Sequence, residues 1–214
     1  RFGYVKSLEA LVKEQCKSPE TALACAQAGL EKAYDIFQFV APDGSSVSLK
    51  EAMEARNTEK FQTGFVKGEA SSEKKVLEVP YKGTTLSGQA LKDQVQKWVD
   101  YGTIEPSAGD AINACVDNPG WLDLSNHYFV LLGAGSAMGP FLVLMALGAN
   151  VVAIDLDRPG IWKRLIGIAR KSSGSLTFPL KMDQKKCVTD DDLFAASGCN
   201  LFTQTPLICD WLLN

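Results

Sequence analysis

The stretch Tyr128-Phe129-Val130-Leu131-Leu132-Gly133-Ala134-Gly135-Ser136-Ala137-Met138-Gly139-Pro140 decides how the chain is read. It continues through Phe141–Leu147 and Gly148-Ala149-Asn150 to Val151-Val152-Ala153-Ile154-Asp155. An unbroken apolar run ending in glycine is the pattern of a strand buried on both faces. Phe141–Leu147 reads as a helix, and Val151–Ile154 as a second buried strand that ends on an acid. From Tyr128 to Ile154 there are 27 residues without a charge, more than the ~20 a bilayer requires. Four glycines, Pro140 and Asn150 break the run. A strand–helix–strand unit of a parallel sheet therefore explains it better than a membrane span.

Each position in that unit has a mechanical reason. Gly133 permits a tight turn off the strand. Gly135 has no Cβ, so the backbone there could approach a pyrophosphate, and the helix that follows would aim unpaired N–H groups at the phosphates. Asp155 lies 20 residues past Gly135, where a carboxylate can accept from ribose hydroxyls. A carboxylate there repels the 2′-phosphate of NADP(H), so NAD(H) is the favoured cofactor, with Arg158 keeping NADP(H) open. The expected third glycine is Met138, and Gly139 comes one residue later. Ala137 or Gly139 must then supply the close helix–strand contact.

The downstream sequence extends the pattern. Pro159-Gly160 opens a helix with Ile161, Leu165, Ile168 and Ala169 on its apolar face, and Ser175–Leu180 reads as a third strand. Pro179 places that strand at an edge, as the order 3-2-1-4 would. Asp190-Asp191-Asp192 starts a short helix, Asn200–Thr203 reads as a fourth strand, and Thr205-Pro206 starts the last helix. The fold expected is α/β: a partial Rossmann-like parallel sheet of about four strands over residues 121–214. A mostly helical region with a possible small hairpin precedes it over residues 1–120. The candidate cofactor site comprises Gly133, Ala134, Gly135, Ser136, Ala137, Met138 and Gly139 in the turn. Asp155, Leu156 and Arg158 follow the second strand, and Thr203, Gln204 and Thr205 follow the fourth.

The first forty residues read as helical. Val5, Leu8, Leu11 and Val12 recur at helical spacing, and Ser18-Pro19-Glu20 supplies an N-cap, a first-turn proline and an acid. Pro42-Asp43-Gly44 is a turn, and Ser48 with Glu51 a capping box. Strands are expected at Phe61–Val66 and Val76–Val79 around a solvated loop, Lys67–Lys75. Ser87 caps a helix stopped by Gly102, and another helix runs from Pro106 to Asp117. Residues 1–120 carry no recognisable chemical motif.

Leu132–Gly139 followed by Leu147–Asp155 resembles the cofactor-binding opening of short-chain dehydrogenases. It is also similar to the cofactor domain of alanine dehydrogenases and transhydrogenases. The resemblance covers residues 128–158 and implies NAD(P)-linked redox chemistry, with Gly133, Gly135, Gly139 and Asp155 at cofactor positions. The chain departs from the short-chain dehydrogenases in lacking Tyr-x-x-x-Lys: none of its five tyrosines has a lysine four residues on.

Composition bounds the rest. Apolar residues are 46%, charged residues 22%, and the net charge is −3, which disfavours nucleic-acid binding as the main task. Six cysteines without a Cys-x-x-Cys pair, and a single histidine, argue against a compact zinc site or a disulfide scaffold. They fit a reducing intracellular compartment, either cytoplasm or an organelle interior after presequence removal. His127 sits at the amino end of the sheet, away from any cofactor, and Cys199 and Cys209 read as buried packing residues. No catalytic residue and no metal ligand is assigned. Two functions follow: the NAD(H)-binding domain of an oxidoreductase-like protein, or a non-catalytic Rossmann-like subunit of a larger assembly. Nucleotide binding without redox chemistry is a third. The first residue is Arg1, and only 88 residues, His127–Asn214, remain for a fold that usually has six strands. A longer parent protein is therefore expected.

Overall fold

The structure is a computed structural model describing residues 3–41, 43–55, 59–71 and 75–214. The chain divides into two compact units, Arg1–Lys60 with Phe202–Asn214, and Phe61–Leu201.

The first unit begins with α1 (Tyr4–Gln15) and α2 (Pro19–Ile36). Ser18 starts α2 as the local chemistry dictates, its hydroxyl accepting from the Thr21 N–H at 3.2 Å. The helical reading of the first forty residues stops short of the truth at its end. Gln38–Val40 (β1) pairs antiparallel with Ser46–Ser48 (β2), strands too short to leave a period in the sequence. Pro42 of the intervening turn lies outside the described residues, as does Ser72 of the later loop. The capping box of Ser48 and Glu51 then opens α3 (Leu49–Glu54).

The second unit opens with β3 (Gln62–Lys67). A small hairpin follows, β4 (Val79–Tyr81) with β5 (Thr84–Leu86), and then a helix pair, α4 (Gly88–Asp100) and α5 (Pro106–Asp117). The strand expected at Val76–Val79 starts only at Val79, and its partner is β5 rather than β3. Beyond them come β6 (Tyr128–Leu132), α6 (Phe141–Ala146), β7 (Asn150–Ile154), α7 (Pro159–Arg170), β8 (Ser175–Leu180) and α8 (Asp190–Ala196). The chain ends in the first unit with α9 (Thr205–Leu213).

The main sheet has four strands in the order β3-β8-β7-β6. β6, β7 and β8 are parallel, with α6 and α7 as the crossovers. β3 runs antiparallel to β8, from Gln62 opposite Leu180 to Lys67 opposite Ser175. The Rossmann-like fold class is corrected here: the sheet is mixed, not all-parallel, and its fourth member arrives from before the βαβ unit. Asn200–Thr203, expected as a parallel strand beside β6, contains no strand and passes into a turn at Leu201–Thr203.

Pro179 does not lie at an edge either, because β3 covers β8. It is tolerated because the pairing of β7 with β8 ends at Val152 opposite Thr177. The Pro179 carbonyl instead accepts from the Gly198 N–H at 2.9 Å, so its missing N–H removes no ladder bond from β3.

One face of the sheet carries the core. Across the register, Phe129, Val151, Leu176 and Val66 form a row on this face. They pack with Phe141, Leu144 and Met145 of α6 and with Trp162, Leu165 and Ile166 of α7. Gly64 leaves room for the Phe178 ring, whose Cε2 would lie 2.4 Å from an added Cβ. The Trp162 indole stacks on Phe178 at 5.2 Å and donates to the Leu156 carbonyl at 2.9 Å. That bond anchors α7 beneath the end of β7.

Candidate functional site

The glycine turn is held shut by its own neighbours. Gly133 has φ +79°, so this position does need glycine. Asp155, only 6% exposed, uses both carboxylate oxygens inside the protein. Oδ2 accepts from the Gly135 N–H at 2.5 Å and Oδ1 from the Leu156 N–H at 2.7 Å. The Arg164 guanidinium donates to the Gly135 carbonyl. A Cβ on Gly135 would lie 2.9 Å from Asp155 Oδ2 and 3.0 Å from Ile161 Cγ2. The missing side chain thus makes room for the Asp155 carboxylate and for α7.

The helix expected to start at the turn begins later. Its N-cap is Pro140, and it has only six residues. Ser136 and Met138 turn on themselves, the Ser136 hydroxyl accepting from the Met138 N–H at 3.4 Å. Gly139 would seat a Cβ 3.4 Å from the Ser136 carbonyl, so its near neighbour is the turn and not a strand. Ala134 is buried, while Ala137, Met138 and Arg158 are exposed and Leu156 half-buried. Thr203, Gln204 and Thr205 belong to the other compact unit.

The remaining candidates have local explanations. Asp190 forms a paired contact with Arg170 at 2.6 and 2.7 Å, and this guanidinium holds its carboxyl below the usual value. Asp192 completes a capping box with Thr189. Among the described residues no group of three His, Cys, Asp or Glu side chains could hold a metal ion. Burial, with Asp157 and Asp155 nearby, pushes the Cys199 thiol up to about 12, which leaves it protonated and unreactive. It donates to the Asp155 carbonyl at 3.7 Å.

What the sequence did not disclose is the condition of β6. It is the end strand of the sheet. The His127 carbonyl accepts from Asn150 N, and the Gly133 N–H donates to the Ile154 carbonyl. The odd-numbered residues therefore face β7, and Tyr128, Val130 and Leu132 turn their N–H and C=O groups outward. Their side chains stand on the face opposite α6 and α7, with exposures of 76%, 53% and 72%. Val130 continues across the register into Val152, Thr177 and Phe65, the last 51% exposed.

The opposite edge is treated differently. The Gln184 side chain accepts from the Phe65 N–H at 2.8 Å and donates to the Phe65 carbonyl at 3.0 Å. It fills a strand position on β3. No local signal could have predicted a contact between residues so far apart in the chain. For β6 the sequence pointed the other way: an apolar run without alternation suits a strand covered on both faces, and this one is covered on one.

No protein-family model, curated protein or solved structure matches the chain. The resemblance to short-chain dehydrogenases and to alanine dehydrogenase or transhydrogenase cofactor domains is therefore corrected, since the mixed sheet does not have their topology. The NAD(H)-binding oxidoreductase reading and the Rossmann-like subunit reading go with it. Among the described residues, no helix is long and apolar enough to cross a membrane.

Proposed function

We propose that the chain is a polypeptide-docking module that accepts a partner segment along the β6 edge and the adjoining open sheet face. The observation that carries this is the state of Tyr128–Leu132, which is wholly apolar, ends the sheet, and exposes alternate side chains and backbone groups. Edge strands of monomers are usually blunted by charge, proline, a bulge or a covering group. β3 has such a device in Gln184, and β6 carries no charge. An added strand would satisfy the outward backbone groups, while Tyr128, Val130 and Leu132 would supply apolar contact.

The test is selection of binders from a displayed library of random twelve-residue peptides against the whole chain, followed by affinity measurement on variants. Selected peptides should show alternating apolar residues and lose at least about tenfold in affinity for Val130→Lys, as hot-spot contacts do. They should retain affinity for Leu23→Lys, a still more exposed apolar position in the other unit. Binders indifferent to Val130→Lys would overturn the reading. An NADH titration belongs beside it: saturable binding lost in Asp155→Asn would return the glycine turn to a ligand role.

A further inference from the structure

We draw no further inference here: the strongest candidate, the exposed apolar surface patch of the first unit formed by Val5, Leu8 and Val12 of α1 and by Leu23 and Leu30 of α2, carries nothing because nothing in the structure shows what covers it.

Discussion

Removing the Asp155 carboxylate should unfold the protein more easily, and the structure sets the size of the effect. The group is 6% exposed and accepts two backbone N–H bonds, at 2.5 Å from Gly135 and 2.7 Å from Leu156. Hydrogen bonds to a charged group contribute about 1.5–3 kcal/mol each. Asp155→Ala leaves both N–H groups without their acceptor in a site only 6% exposed, so a loss of about 3–5 kcal/mol is expected. Asp155→Asn keeps one acceptor and turns an NH2 toward an N–H, for a loss of about 2–4 kcal/mol. Against a total of about 5–15 kcal/mol these are large fractions. In urea, with a slope of about 2 kcal/mol per M, the Asp155→Ala midpoint should fall by roughly 1.5–2.5 M. A carboxylate held ready for a ligand behaves oppositely, since removing a functional group from its strained site commonly stabilises. An unfolding free energy within about 0.5 kcal/mol of the parent would refute the argument that Asp155 is a strut.

The glycines of the same turn should separate: Gly135→Ala, with a Cβ 2.9 Å from Asp155 Oδ2, is expected to lose about 1–3 kcal/mol. Gly139→Ala, with a contact at 3.4 Å, should lose under about 1 kcal/mol by the same urea measurement. The Arg170–Asp190 pair predicts a pH dependence. The guanidinium lowers the Asp190 carboxyl below its ordinary 3.8, so the stability it adds is present above that value and lost as pH falls through the lowered one. Urea midpoints of the parent and Asp190→Asn should therefore differ near neutral pH and converge as the pH falls well below 3.8; a constant difference would contradict the pairing. Cys199, with its thiol pushed up to about 12, should resist a maleimide at pH 7 in the folded protein and react on unfolding. Rapid labelling in the folded state, located by mass mapping, would place it outside the core.

Local chemistry was legible wherever it acts within a turn or two. Ser18-Pro19, Ser48 with Glu51, and Pro106 mark helix starts because each satisfies, or removes, N–H groups that a helix leaves free. β6, β7 and β8 were legible as strands because their apolar runs match burial in a parallel sheet. The identity of the neighbours was not. β3 reaches β8 from a position before the whole βαβ unit, and nothing in Gln62–Lys67 specifies which strand it pairs with or in which direction. The glycine turn misled for a related reason. Gly133, Gly135 and Asp155 have the spacing of a cofactor site, but spacing does not reveal whether the carboxylate points outward or back to the Gly135 N–H.

The two edges of the sheet connect sequence to function more directly than the turn does. In the two-sided burial suggested by its sequence, β6 would have a strand beside it and cover above it, and the described residues provide neither. The exposed apolar surface is costly to leave in water at about 25 cal/mol per Å², and an open, uncharged edge invites aggregation. The same fold spends a glutamine from a distant loop to close β3, so edge protection is within its means. An edge left open beside one that is closed is therefore selective, and the selectivity points to β6 as the surface where another strand is meant to sit.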